Sequence, residues 1–161
     1  MKRLLSWMLL GLCIWVMNPA QAQYLNAPER VDQEKLLALV NKARAEGCRC
    51  GGQRMPPVAP LTWSPKLTQV AQGHSNWMYN ANTFSHTGVR NSSSGDRLRA
   101  AGYRWSAVGE NIAKGQTTEE KVMESWLSSP GHCKNIMNGM YTEMGAATRG
   151  PYWTQVFATP L

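Results

Sequence analysis

Three histidines, His74, His86 and His132, are the side chains of this sequence best suited to acid–base or metal chemistry. Neither a His-Glu-x-x-His helix motif nor a Gly-x-Ser-x-Gly nucleophile elbow is present. Hydrolysis of the metalloprotease or α/β-hydrolase type therefore has no support of its own. His74 falls on the apolar stripe of a predicted helix, so we expect it to be a core histidine with a hydrogen-bond partner.

Cysteines are the second group of reactive side chains, and beyond the first 22 residues they number three: Cys48, Cys50 and Cys133. In an oxidising compartment this odd number allows one bridge and one remaining thiol. A Cys48–Cys50 bridge would close a very short, strained loop, whereas a bridge from either to Cys133 would tie the first third of the chain to the last. We favour Cys50–Cys133, because Gly51 and Gly52 let the backbone approach closely while Cys48 ends a predicted helix.

The N-terminus has the order of segments typical of a secretory signal. Lys2 and Arg3 precede an apolar run over residues 4–17 and an Ala-x-Ala sequence at 20–22, which predicts cleavage before Gln23. The apolar run is too short to span a bilayer comfortably. Residues 1–22 are therefore predicted to be a signal peptide, and the protein to be secreted or periplasmic without a transmembrane anchor after processing.

Residues 23–161 have the usual size of one domain. The sequence has no internal repeat and no long linker, and its formal net charge of +7 comes from basic residues that are scattered along the chain. A scattered charge of this kind argues against nucleic acid as a partner, because binding to phosphates favours a basic stripe or patch.

Helical periodicity predicts three substantial helices that would position these side chains. The first begins at Pro28 and ends at Gly47, and the second follows Ser64 as its N-cap. The third opens at Thr117, with Glu120 completing a capping box.

Shorter elements complete the prediction. Residues 47–62 are predicted to be irregular, 96–101 a short helix and 107–113 an extended segment, and residues 144–147 and 152–158 a hairpin. Helices and strands are mixed without the alternation that a doubly wound parallel sheet requires, which indicates the α+β class.

Five short motifs follow one another along the chain: Phe84-Ser85-His86-Thr87-Gly88, Gly109-Glu110-Asn111-Ile112-Ala113, Trp126-Leu127-Ser128-Ser129-Pro130-Gly131-His132, Met144-Gly145 and Tyr152-Trp153-Thr154-Gln155-Val156-Phe157. Taken together and in this order, they resemble those of the CAP superfamily of cysteine-rich secretory, antigen-five and pathogenesis-related proteins. The similarity is to the bacterial SCP-like branch and covers nearly all of residues 34–158. It implies one CAP domain over residues 23–161, an α-β-α sandwich in which a central, mostly antiparallel sheet lies between helical layers, with a cleft on one face.

In that family two histidines and two acidic residues line the cleft. The resemblance assigns His86, Glu110 and His132 to three of these four positions. The fourth position, three residues beyond Trp126, is held by Ser129 in this sequence. The expected cleft is therefore a triad of two imidazoles and one carboxylate, joined by Ser129 in place of an acid.

Such a triad has two interpretations. Imidazole nitrogens suit a divalent metal such as zinc, with His86 and His132 as ligands and an open position for water. A glutamate between two histidines equally suits a structural network that orients the rings and holds loops together without an ion. The three positions lie in separate segments, so no local ligand spacing decides between the two.

The resemblance implies a secreted binding module whose ligand is a lipid, a glycan or a protein at the cell envelope or outside the cell. The alternative is a metal-assisted or His/Glu-dependent hydrolase acting on peptide or wall polymer. Ser129 near His132 and Glu110 could imitate a serine triad, yet a serine directly before Pro130 more often caps the following helical turn. A bridge at Cys133 would clamp a loop beside the cleft.

Overall fold

The computed structural model describes residues 30–161, so the predicted signal peptide and Pro28 lie outside the described residues. None of the helices in this part has the length and apolar character needed to cross a membrane. Its elements, in chain order, are helix α1 (Gln33–Glu46), strands β1 (Cys48–Cys50), β2 (Gln53–Met55) and β3 (Thr62–Trp63), helices α2 (Pro65–Asn80) and α3 (Ser94–Ala100), strand β4 (Trp105–Lys114), helices α4 (Glu119–Ser128) and α5 (Pro130–Ile136), and strands β5 (Glu143–Arg149) and β6 (Tyr152–Pro160).

The helix starts differ in detail from the predicted ones. Helix α1 begins after Asp32, whose side chain accepts a hydrogen bond from the backbone N–H of Lys35. Helix α2 follows Ser64, as predicted, but the Ser64 side chain makes no capping hydrogen bond. The N-cap of α4 is Thr118 rather than the predicted Thr117.

The segment predicted to be irregular contains a small β-hairpin. Strands β1 and β2 pair antiparallel, with Cys48 opposite Met55 and Cys50 opposite Gln53. Gly51 has a φ of 64°, which a glycine adopts without strain, so the chain turns sharply there. Cys48 therefore lies in a strand and not at the end of a helix.

The main sheet has the strand order β3-β5-β6-β4. Strand β3 is parallel to β5, whereas β5 and β4 are both antiparallel to β6. The predicted hairpin is formed by β5 and β6, and the mostly antiparallel sheet is confirmed.

Strand β6 shows how the sheet separates two helical layers, because its successive side chains alternate between the faces. Trp153 and Phe157 pack in one apolar cluster with residues of α1, α4 and α5. Val156 and Ala158 pack in a second cluster with residues of α2 and α3. Helices thus cover both faces, and the α+β class and the α-β-α sandwich are confirmed.

Arg44 of α1 ties this helix to two loops. Its side chain is fully buried, and its guanidinium donates to the carbonyl oxygens of Ala59 (2.7 Å), Ile136 (2.6 Å) and Asn138 (3.0 Å). Burial lowers the pKa of Arg44 below its ordinary value. The bonds to carbonyl dipoles compensate this buried cation in place of a carboxylate.

Candidate functional site

The candidate site lies along β4, an edge strand of the sheet. Glu110 and Asn111 are successive residues of this strand, so their side chains point to opposite faces. Glu110 contacts residues of α2 and α3, and Asn111 contacts α5. One dipeptide therefore organises both sides of the sheet edge.

The Glu110 carboxylate is buried, with 5% of the side chain exposed, and both of its oxygens are engaged. The His86 Nδ1–H donates to Oε1 at 2.9 Å, and the Arg97 guanidinium pairs with Oε2. The His86 ring itself is 57% exposed. The carboxylate thus fixes the ring from behind and leaves His86 Nε2 as an acceptor at the surface.

His74 lies behind this pair and holds the loop that carries His86. Its Nε2–H donates to the carbonyl oxygen of Ser85 at 2.9 Å and lies 3.8 Å from Glu110 Oε1. The ring is fully buried and stacks on Trp77 with centroids 5.5 Å apart. Burial is the main cause that lowers the pKa of His74; Glu110 opposes this shift and Arg97 adds to it. The prediction of a core histidine with a hydrogen-bond partner is confirmed.

On the other face, Asn111 anchors α5 to the sheet. Its side-chain amide donates to the backbone oxygen of His132 (3.2 Å) and to Gln155 Oε1 (3.0 Å). Asn135 donates to Asn111 Oδ1 (2.9 Å) and to the Glu110 backbone oxygen (3.0 Å). This carboxamide network fixes the backbone at His132.

His132 and Ser129 line an open cleft of about 430 Å³ beside β4. Burial lowers the pKa of His132, and repulsion from the His86 ring in its protonated form lowers it further. Ser129 lies between α4 and α5 at the N-cap position of α5, but its side chain makes no capping hydrogen bond. The remaining lining residues are Phe84, Ile112, Ala113, Lys114, Gln116, Ser125 and Ser128.

The structure joins His86 and Glu110 directly and places His132 on the neighbouring helix α5. Within residues 30–161, no hydrogen bond links the His132 ring to Glu110 or His86. In the same part of the chain, Cys48, Cys50 and Cys133 form the one group of at least three His, Cys, Asp or Glu residues whose ligand atoms all lie within 4.8 Å of one another.

Four residues of the site were missed at the sequence level, or were assigned only to the core: His74, Arg97, Asn135 and Gln155. Arg97 and His74 reach Glu110 from two helices, so no local spacing relates them to it. Gln155 and Asn111 had a usable signal. Each is a fully buried carboxamide in a strand of the main sheet, and buried polar side chains of this kind need partners.

The disulfide joins Cys50 and Cys133, as predicted, with Cα atoms 5.3 Å apart. It connects the β1–β2 hairpin to α5, one residue beyond His132. Cys48 is the free cysteine among the described residues.

The fold is an α-β-α sandwich domain with a histidine and a glutamate paired at the sheet edge. The model of the cysteine-rich secretory protein family, CAP, matches residues 37–157. The chain belongs to this family.

Three proteins of known sequence or structure are similar to this chain. The chain is 33% identical over 147 residues to the protein YkwD of Bacillus subtilis, covering 86% of this chain and 54% of that protein. It is 37% identical over 100 residues to the membrane protein YlbC of the same organism, covering 62% of this chain and 29% of that protein. A solved extracellular protein of Bacillus anthracis that contains an SCP domain is 29% identical, with a TM-score of 0.67, over 78% of this chain and 39% of that one. The chain thus spans about half of the first relative and under a third of the second.

Proposed function

We propose that the protein is an exported CAP-domain binding module whose cleft beside β4 takes a hydroxyl-rich, glycan-type ligand of the cell envelope. The observation that carries binding over a hydrolysis with Glu110 as the general base is the engagement of the Glu110 carboxylate. A general base needs a free carboxylate oxygen within reach of the proton it removes. Here His86 pairs with one carboxylate oxygen of Glu110 and Arg97 pairs with the other, and only 5% of the Glu110 side chain is exposed.

The absence of an activated nucleophile supports the same conclusion. Within residues 30–161 no serine or threonine hydroxyl is hydrogen-bonded to the ring of His86 or His132, so the pairing on which a serine nucleophile depends is not formed. Cys133 is in the disulfide and is not available as a thiolate. Hydrolysis through a serine, threonine or cysteine nucleophile would therefore need a group from outside the described residues or a rearrangement of the site.

The lining of the cleft favours a glycan over a lipid. The cleft lining combines three serines, Gln116, Lys114 and His132 with the aromatic residue Phe84. Phe84 is 49% exposed, although a phenylalanine is usually buried. Polar groups that exchange hydrogen bonds with hydroxyls, next to an exposed apolar face, suit a sugar ring better than an acyl chain.

The histidines also suit a divalent metal such as zinc. A metal-ligating histidine usually donates its second ring N–H to a carboxylate, as His86 donates to Glu110. His86 Nε2 and the His132 ring would supply two nitrogens, and Glu110 would orient His86 rather than ligate, because Arg97 already pairs with it. A bound ion would supply Lewis acidity toward a ligand oxygen.

Export is the part of the proposal that rests on the N-terminus and the cysteines. Basic residues, an apolar run and an Ala-x-Ala sequence precede the domain. A disulfide is found within the domain, and disulfides persist in oxidising compartments. The similar Bacillus anthracis protein is described as extracellular.

Binding can be tested by calorimetric titration of the mature protein with a soluble N-acetylglucosamine oligomer and by sedimentation with insoluble envelope polysaccharide. Phe84→Ala and Gln116→Ala should each weaken binding by roughly tenfold, as expected for loss of one well-placed contact. Tyr79→Ala is the matched control, because Tyr79 is similarly exposed, at 46%, and lies outside the cleft lining.

Equal weakening by all three variants, or no binding of either glycan, would contradict the proposal. Release of shortened glycan by the wild-type protein, abolished in Glu110→Gln, would favour the hydrolase instead.

A further inference from the structure

The three cysteines of the described chain meet at one point. Cys48 and Cys50 are two residues apart in β1, so both side chains point to the same side of the strand. That side faces Cys133 of α5. The Cys48 sulfur lies 3.4 Å from the Cys133 sulfur and 3.8 Å from the Cys50 sulfur.

We propose that Cys48, Cys50 and Cys133 form a thiol–disulfide exchange site, in which Cys133 pairs with either Cys50 or Cys48. In the exchange step, the Cys48 thiolate attacks the Cys133 sulfur, a Cys48–Cys133 bond forms and the Cys50–Cys133 bond breaks. Cys50 leaves as a thiolate and takes up the proton that Cys48 gave up. The step has no net oxidation, so it needs no external oxidant or reductant.

Cys133 is the sulfur that can change partners. A Cys48–Cys50 bond would join residues whose Cα atoms are about 6.6 Å apart in an extended strand, near the upper limit for a disulfide. The Cys133 sulfur is also the nearer of the two to Cys48.

The hairpin gives Cys48 the freedom that exchange requires. The Cys48 sulfur lies at similar distances from the Cys50 and Cys133 sulfurs, so it is beside the bond between them. A thiolate attacks a disulfide along the extension of the S–S bond. The Cys48 side chain must therefore rotate before it reacts. Cys48 is partly exposed, and it lies in a strand of three residues that pairs only with β2 and not with the main sheet.

The two pairings present different thiols to the surroundings. With the Cys50–Cys133 bond, the free thiol is Cys48, which lines an open cavity of about 330 Å³ together with Arg49, Arg54 and Met55. With the Cys48–Cys133 bond, the free thiol is Cys50, which is 2% exposed. Exchange therefore converts a thiol that small thiols and disulfides can reach into one that they cannot.

The sequence provides a direct assay. Arg49 lies between Cys48 and Cys50, so trypsin separates them into peptides 45–49 and 50–54. The full mature protein is held at pH 8 for a day, its free thiols are alkylated in acid, and the linked peptides are identified by mass spectrometry without reduction. We expect peptide 45–49 linked to Cys133 at about a tenth or more of the total, beside the 50–54 pairing.

Two variants keep the assay decisive. Cys50→Ser, folded with a glutathione redox buffer, should form the Cys48–Cys133 bond and show no free thiol with a thiol reagent. Cys48→Ser should show only the pairing of peptide 50–54. Two titratable thiols in oxidised Cys50→Ser, or wild-type protein that gives the 50–54 pairing alone, would overturn the proposal.

Discussion

Glu110 is the residue on which the candidate site depends most, because partners from three separate segments converge on its carboxylate. The resemblance to the CAP family identified the motif around Glu110 and assigned Glu110 and His86 to one cleft. The pairing of Glu110 with Arg97 was not predicted, since Arg97 reaches it only once α3 has packed beside β4. A sequence pattern thus predicts the residues of a site that lie in motifs and misses those that tertiary packing brings to it.

His74 should make the stability of the domain depend on pH. Its pKa in the folded state is lowered from 6.5 by burial, and so below pH 6.5 the unfolded chain binds a proton that the folded protein does not. Stability is therefore highest above pH 6.5 and falls as the pH drops toward the folded-state pKa, by at most about 1.4 kcal/mol per pH unit. The charged and titratable neighbours are Glu110, Arg97 and His86.

Urea unfolding between pH 5 and 7.5 measures this effect. His74→Gln keeps a donor for the Ser85 carbonyl and removes the titration, so it should flatten the decrease in stability. His132→Gln is the control, since His132 is less buried and should contribute less. A pH profile that is unchanged in His74→Gln would contradict the assignment.

Among the secondary-structure elements, the sequence predicted best those with a clear periodic pattern, namely α2, α4 and the β5–β6 hairpin. The β1–β2 hairpin was missed because strands of three residues are too short to show an alternation. The start of α4 was displaced by one residue because Thr117 and Thr118 are both suitable caps. Boundaries and short strands depend on tertiary contacts more than on local pattern.

The contact between α2 and β5 depends on a glycine. A Cβ atom at Gly145 would lie 2.6 Å from the carbonyl carbon of Leu67 and 2.8 Å from its Cβ. Gly145→Ala should therefore force the helix away from the sheet and lower the free energy of unfolding by about 1–3 kcal/mol. Thermal and urea unfolding measure the loss.

Gly73→Ala is the matched control, in the middle of α2. A Cβ atom at Gly73 meets nothing within 4 Å. This substitution should raise the free energy of unfolding by about 0.5–1 kcal/mol through helix propensity. A Gly145→Ala protein as stable as wild type would show that α2 does not pack as closely as described.

For the whole molecule, the resemblance to the CAP family predicted the layers, and the residues alone predicted only a mixed α+β domain. Periodicity identifies the elements but does not say which face of a sheet each helix covers. In the structure α2 and α3 cover one face and α1, α4 and α5 the other. The resemblance implied two helical layers, whereas the assignment of each helix to a face follows from long-range packing that the structure shows.

Processing of the N-terminus is a prediction about the whole chain. The exported protein should begin at Gln23, because small residues at positions 20 and 22 suit the signal peptidase. Intact-mass measurement of protein recovered from the periplasm or the medium checks this, with cyclisation of Gln23 to pyroglutamate as an expected modification. Exported protein that retains Met1 would contradict the prediction.

The bridge between Cys50 and Cys133 separates its two cysteines by 83 positions, and this has a consequence for the order of events in folding. The chain is made from its N-terminus, so β1 emerges long before Cys133 is available. The hairpin, α2, the His86 loop, α3 and β4 must all remain uncrosslinked until α5 has been made. Closing so long a loop contributes about 4–5 kcal/mol by constraining the unfolded chain. The domain therefore gains this stabilisation only once α5 has been made, and an incomplete chain that ends before α5 lacks both the bridge and His132.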